Sequence, residues 1–303
     1  MADTETRART FGTLLAAMVT PFTQDGDVDY DAAGELAAKL VDDGCDGLVV
    51  TGTTGETSTL TDEENLGMFK AVLEAVGGRA KVIAGTGTND TRHSVSLSRG
   101  AAELGVDGLL LVTPYYNKPS QAGVRAHFET VASATELPVM LYDIPGRTGI
   151  PIETDTILRL AEHPNIAGLK DAKADFGAVT RVLTKTDLAV YSGDDALTLP
   201  WMAAGALGVV SVTAHVATKQ FRALVDAALA GDFATARRIH FELDPVIRGV
   251  MTRVQGAVAT KQVLKWQGVL PNSVVRLPLV EPGDAELALI RNDLAEAGMD
   301  FAA

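Results

Sequence analysis

In a chain of 303 residues, the sharpest chemical feature is a lysine that closes an apolar run, Ile166-Ala167-Gly168-Leu169-Lys170-Asp171. The run reads as a buried strand ending in an amine. Desolvation disfavours an ammonium, and a neutral amine attacks a ketone to form an imine. The bland alternative is a lysine snorkelling to a rim, with its stem on apolar surface and its charge in water. On this segment alone the bland reading leads.

Four other stretches carry polar residues at the ends of apolar runs. Thr51-Gly52-Thr53-Thr54-Gly55-Glu56 combines two glycines, which let backbone N–H groups approach a ligand, with hydroxyls that donate and accept protons. A small carboxylate fits such a nest, and a glycine turn with incidental threonines is the alternative. Thr113-Pro114-Tyr115-Tyr116-Asn117-Lys118 puts two tyrosines side by side in a chain only 5% aromatic. One suits a proton relay and one a stacking surface; two interface aromatics would look the same. Val139 to Gly149 places Tyr142 at a strand end and Arg147 on the next loop. A guanidinium there clamps a carboxylate through two parallel hydrogen bonds, unless it pairs with an acidic neighbour on the surface. Ser192-Gly193-Asp194-Asp195 ends another run. Two aspartates argue against a phosphorylated substrate and read as caps of a short helix.

The elements that must hold these residues follow from periodicity. Apolar, β-branched runs at Leu14–Thr20, Gly47–Thr51, Lys81–Ala84, Gly108–Val112, Val139–Asp143, Ile166–Lys170, Ala189–Ser192 and Gly208–Val212 alternate with helical patterns. Eight such units predict an α/β fold, a closed (β/α)8 TIM barrel over residues 11–231. Its active site belongs at the carboxyl ends of the strands, where all the residues above lie. Gly44-Cys45-Asp46-Gly47 and Gly105-Val106-Asp107-Gly108 repeat one helix-to-strand turn. Thr61-Asp62-Glu63-Glu64 predicts a capping box; Ser120-Gln121 and Pro151-Ile152-Glu153 predict two further helix starts. Residues 232–303 read as a C-terminal helical region packed on the barrel, with helices over Asp232–Met251, Ala257–Gln267 and Asp284–Ala297. Residues 1–10 read as a flexible polar tail.

Composition narrows the chemistry. The net charge of −13 repels phosphodiester backbones, so nucleic acid is not an expected partner. The single cysteine, Cys45, rules out an internal disulfide and reads as apolar filler. His93, His127, His163, His215 and His240 are scattered, which gives no metal site. Gly85-Thr86-Gly87 is at best a fragment of a dinucleotide fingerprint. The N-terminal residues lack a secretory pattern and no apolar run is long enough for a membrane span, so the expectation is a cytoplasmic enzyme without a membrane partner.

Together these residues resemble the dihydrodipicolinate synthase family of pyruvate-dependent class I aldolases. Gly52-Thr53-Thr54-Gly55-Glu56 is similar to its GTTGE motif, and Tyr142 to Gly149 to its YxxPxRTG motif. Gly168-Leu169-Lys170-Asp171 follows at the family's distance, and the resemblance extends from about Phe11 to Leu279. It implies that Lys170 forms the imine with pyruvate. It implies a proton relay of Tyr142, Thr53 and Tyr116, with Tyr116 reaching across a dimer interface. Thr54 would hold the pyruvate carboxylate, Gly193 and Val210 would line its pocket, and Arg147 would hold the carboxylate of L-aspartate-4-semialdehyde. The implied assembly is a homotetramer, a dimer of dimers, in the pathway to diaminopimelate and lysine. No cofactor or metal is implied.

Relatives inhibited by lysine often carry histidines after GTTGE and a glutamate after GTGxN. The matching positions here hold Asp62, Asn65 and His93, while Asn89 and Tyr115 do match. Weak or absent inhibition by lysine is the expectation. Two other readings remain: an N-acetylneuraminate lyase or 2-keto-3-deoxy sugar acid aldolase of the same family, and a non-catalytic barrel that binds a small acid.

Overall fold

The computed structural model describes residues 10–299 and 301. The tail expected over residues 1–10 lies outside them except for Thr10, which is helical together with Phe11.

Eight strands close a barrel in chain order: β1 (Leu14–Ala17), β2 (Gly47–Val50), β3 (Lys81–Gly85), β4 (Gly108–Val112), β5 (Val139–Asp143), β6 (Ile166–Asp171), β7 (Ala189–Ser192) and β8 (Gly208–Ser211). Every neighbouring pair is parallel. The expected TIM barrel is therefore the fold. Its outer helices are α1 (Tyr30–Asp42), α2 (Asp62–Val76), α3 (Thr91–Leu104), α4 (Gln121–Ala132), α5 (Thr154–Leu160), α6 (Phe176–Lys185), α7 (Thr198–Ala203) and α8 (Ala214–Leu229). Strands β1, β2, β5, β7 and β8 are buried along their whole length, which is why they read as continuous aliphatic runs instead of alternating ones.

Helix starts follow the capping residues. Asp29, Thr61, Asp90, Ser120 and Asp175 each accept a backbone N–H of the helix they precede, at about 1 kcal/mol apiece. Thr61 and Glu64 form the predicted reciprocal box. Glu153 occupies the cap position of α5 without a side-chain bond.

The repeated Asp-Gly turns do more than turn the chain. Asp46, just before β2, accepts the backbone N–H groups of Thr13 and Leu14 at the start of β1, both at 2.8 Å. Asp107, just before β4, accepts that of Val82 in β3 at 2.9 Å and the Lys81 ammonium at 2.8 Å. In each repeat the carboxylate pins the strand before its own, and the glycine after it leaves room for Phe11 at the barrel floor. A Cβ on Gly108 would come within 2.9 Å of the Phe11 ring.

The strands at the upper rim differ from the apolar runs by a few residues. β2 stops at Val50 because Thr51 adopts a left-handed φ of 51°, which leaves the ladder. β1 stops at Ala17; Val19 N–H instead donates to His215 Nε2 at 3.1 Å. β8 stops at Ser211 because Val212 N–H turns to the Asp195 carboxylate. β3 and β6 each run one residue further than expected, to Gly85 and Asp171.

After Gly231 the chain forms α9 (Phe233–Met251), α10 (Gly256–Trp266) and α11 (Asp284–Glu296). α9 packs on α8 and on α11, where Arg248 and Arg253 both bind Asp293. α10 touches the helical turn Thr53–Gly55 that follows β2, so the C-terminal region reaches the rim where the chemistry was expected. Among the described residues no helix is long and apolar enough to cross a membrane.

Candidate active site

A cavity of about 960 Å³ opens at the carboxyl ends of β2 to β5. Its walls include Thr53 after β2, Tyr115 and Tyr116 after β4, Tyr142 at the end of β5 and Arg147 on the following turn. The floor between β2 and β3 is tight. The Thr51 carbonyl passes so close to Gly85 that a Cβ there would sit 2.5 Å from its oxygen.

Lys170 lies beside this cavity, 4% exposed near the end of β6. Its register partner on β5 is Tyr142, and its amine sits 4.1 Å from the centre of the Tyr142 ring. Its partner on the other side, β7, is Tyr191. The two phenols differ in kind. Tyr191 is fully buried, its hydroxyl donates to the Gly12 carbonyl at 2.8 Å, and burial raises its pKa. It is a structural tyrosine pointing to the barrel floor. Tyr142 is on the cavity wall and is the one of the two phenols that a molecule in the cavity can reach.

Arg147 projects from a short helical turn, Pro145–Thr148, that is closed by Gly149 at φ 82°. The Thr148 hydroxyl fixes this turn through the carbonyls of Ile144 and Ile150, at 3.1 and 2.8 Å. Tyr116 is 88% exposed and held at φ 74°, a left-handed conformation uncommon for a bulky residue.

Of the eight residues singled out in the sequence, the cavity brings together Thr53, Tyr116, Tyr142 and Arg147. Lys170 joins them through Tyr142. Gly193 joins through Lys170: a Cβ on Gly193 would lie 3.0 Å from the lysine Cγ, so a larger residue there would press on that side chain. Thr54 and Val210 are buried and do not line this cavity. Asp194 caps the short turn after β7 as expected, through Ala196 N–H. Asp195 does not; its buried carboxylate accepts Val212 N–H, Thr213 N–H and the Thr213 hydroxyl, and so ties β7 to the end of β8. Cys45 is buried and its thiol is pushed up to about 12, which leaves it apolar filler. Among the described residues no three His, Cys, Asp or Glu side chains gather as a metal site.

Two clusters around the site escaped the sequence. The first is a buried ion pair between Glu56, the last residue of the Gly52–Glu56 stretch, and Lys261 of α10. Glu56 also accepts Arg276 N–H at 3.0 Å, and Lys261 donates to the Val274 carbonyl at 2.9 Å. The turn carrying Thr53 and Thr54 is thus bolted to the C-terminal region. The only trace in the sequence is a lysine inside the apolar stretch Ala257 to Leu264.

The second cluster lies one residue beyond the reactive pair. Asp143 and Asp171 are register partners, both buried. Burial, reinforced by the Asp143 charge, pushes Asp171 up to about 6. The folded protein therefore keeps a proton there that the unfolded chain releases, so stability falls as pH rises from the ordinary carboxylate range through about 6. Asp171→Asn keeps an acceptor for the Lys173 and Ala174 N–H groups, both at 3.3 Å. It should be more stable than the parent at neutral pH by about 2 kcal/mol, with the difference vanishing below about pH 4. Urea unfolding at both pH values checks this; an equal difference at both contradicts it.

Comparison with known proteins agrees with the geometry. Residues 10–297 match the model of the dihydrodipicolinate synthetase family. The 4-hydroxy-tetrahydrodipicolinate synthase of Kineococcus radiotolerans is 56% identical over 96% of this chain and 94% of its own. The solved dihydrodipicolinate synthase of Aquifex aeolicus superposes with a TM-score of 0.93 at 38% identity, over 97% of this chain and 100% of that one. The Cyanidioschyzon merolae enzyme, crystallised with lysine bound, gives 0.92 at 40% identity over 95% and 99%. With the fold, the cavity and these likenesses in agreement, the chain belongs to the dihydrodipicolinate synthetase family.

Proposed function

We infer that this chain catalyses the 4-hydroxy-tetrahydrodipicolinate synthase reaction, condensing pyruvate with L-aspartate-4-semialdehyde through an imine on Lys170. The observation that carries this reading is the register pair Tyr142–Lys170, a buried amine against a cavity-lining phenol, in a chain 56% identical to an enzyme of that name.

The Lys170 amine attacks C2 of pyruvate. The carbinolamine hydroxyl takes a proton from the relay of Tyr142, Thr53 and Tyr116 and leaves as water. The protonated imine withdraws electrons, so a methyl proton departs and an enamine forms. The enamine carbon attacks the aldehyde carbon, whose oxygen is protonated to a hydroxyl. The amine of the semialdehyde then displaces Lys170, closing the ring and returning the free lysine. By the family resemblance Thr54 holds the pyruvate carboxylate and Gly193 and Val210 line a pyruvate pocket at Lys170, none of the three lining the wider cavity, and Arg147 clamps the acceptor carboxylate. The imine is the electron sink, so the steps call for no cofactor. The exposed, left-handed Tyr116 suits a residue completing a neighbour's site in a homotetramer built as a dimer of dimers. The reaction belongs to cytoplasmic lysine and diaminopimelate biosynthesis.

The test is a substrate comparison. Condensation with the semialdehyde should exceed cleavage of N-acetylneuraminate or a 2-keto-3-deoxy sugar acid by orders of magnitude. Preferential sugar-acid cleavage would overturn the assignment, and turnover of none of them would leave a binding barrel.

Regulation by lysine should be weak or absent. The positions that hold histidine and glutamate in inhibited relatives hold Asp62 and His93, and these pair with each other at 2.7 Å. The site thus lacks a glutamate to receive a lysine ammonium, and its aspartate is engaged by His93. Steady-state rates should be nearly unchanged at millimolar lysine. A low-micromolar inhibition constant would refute this.

A further inference from the structure

We propose that Lys173 and Asp143 are positioning residues for Arg147, and through it for the second half of the reaction, the capture of the aldehyde. The proposal rests on the reading of Arg147 as the acceptor clamp.

Alternate residues of a strand face opposite sides. Tyr142 and Lys170 are turned toward the cavity side, so Asp143 and Asp171, next along the same strands, are turned toward the helical layer. There they place two buried carboxylates side by side. Lys173 covers them, with its side chain only 13% exposed and its ammonium 3.1 Å from Asp143 Oδ2.

Both partners grip the same residue. Asp143 Oδ1 accepts the N–H of Ile152 at 3.0 Å, and the Lys173 ammonium donates to the Ile152 carbonyl at 3.2 Å. Ile152 is fully buried, and it is where the loop carrying Arg147 returns to the barrel wall. That loop leaves β5 at Asp143. Its exit and its return are therefore fastened to each other by one carboxylate, and the fastening is completed by an ammonium three residues beyond Lys170. Between these points the loop is held by internal bonds of the Arg147, Thr148 and Gly149 N–H groups and of the Thr148 hydroxyl, and by one bond from Gln121 to the Pro151 carbonyl.

The consequence is separable from fold and from imine formation. Loosening the clamp frees the Arg147 turn to shift, and a misplacement of about 1 Å lowers a positioned contact's effect by large factors. Neither Asp143 nor Lys173 lines the cavity.

The experiment is steady-state kinetics of Lys173→Met with both substrates varied, alongside borohydride trapping with pyruvate alone. The expected result is a rise of about tenfold in the KM for the semialdehyde, with the pyruvate KM and the trapped fraction within about twofold of the parent. Lys173→Arg, which can still reach both oxygens, should recover most of the loss. Unchanged kinetics overturn the proposal, and so does equal loss of both half-reactions in a protein with an unaltered melting curve. If Lys173→Met fails to fold, Asp143→Asn decides by the same split, since its amide oxygen still accepts the Ile152 N–H while the charge on the clamp is gone. Arg147→Ala is run in parallel. If it leaves the semialdehyde KM unchanged, the reading of Arg147 fails; if it raises that KM while the clamp variants do not, the clamp alone fails.

Discussion

Replacing Lys170 with alanine should abolish condensation, lowering kcat by at least about 10⁴-fold while the barrel stays folded. The lysine is the only group in the proposed mechanism that forms a bond to substrate carbon, so no neighbour can substitute for it. Lys170→Arg is the sharper control. It keeps much of the stem and the positive charge, which in the parent sits over the Tyr142 ring. A guanidinium, however, stays protonated at any working pH and cannot add to a ketone. Both variants should be equally inactive with native circular dichroism. Appreciable turnover by Lys170→Arg would mean that charge, not imine formation, is what the site requires.

Tyr142→Phe should lower kcat by roughly 10²–10⁴-fold, the usual range for losing a positioned proton donor and acceptor. Phenylalanine keeps the ring that packs on the Lys170 amine and the register of β5 with β6. Only the hydroxyl is lost, and Tyr191 cannot replace it because its own hydroxyl is spent on the Gly12 carbonyl. Stopped-flow or single-turnover kinetics should show slowed imine formation with the pyruvate KM little changed. A kcat within a few-fold of the parent would remove Tyr142 from the relay.

The barrel was legible because parallel strands buried on both faces leave uninterrupted aliphatic runs, and because Asp-Gly turns and capping residues punctuate them. The site was legible in part for the same reason: its residues sit where those runs end. Lys170 by itself reads as a snorkelling lysine; its company, Tyr142, Thr53 and Arg147, points to imine chemistry, and in the structure it is buried against Tyr142.

What escaped depends on register and on distance along the chain. Asp143 and Asp171 meet only because β5 and β6 pair with Tyr142 opposite Lys170, a register that no local pattern encodes. Glu56 and Lys261 are 205 positions apart, and an ion pair at that separation leaves each partner looking like an ordinary charged residue. Asp195 reads as a helix cap by local sequence, but β8 arrives with unpaired N–H groups that claim its carboxylate. Strand ends at the rim depended on Thr51, a β-branched residue whose left-handed backbone runs against its own propensity and whose carbonyl passes close over Gly85.

In the proposed reaction Lys170 carries the pyruvate carbon skeleton. Incubation with pyruvate, reduction with borohydride and peptide mass spectrometry test it directly. The expected result is one pyruvate-derived adduct per chain, on the peptide containing Gly168-Leu169-Lys170-Asp171, formed without the semialdehyde and absent from Lys170→Ala. No adduct, or an adduct on another lysine such as Lys173 or Lys118, would contradict it.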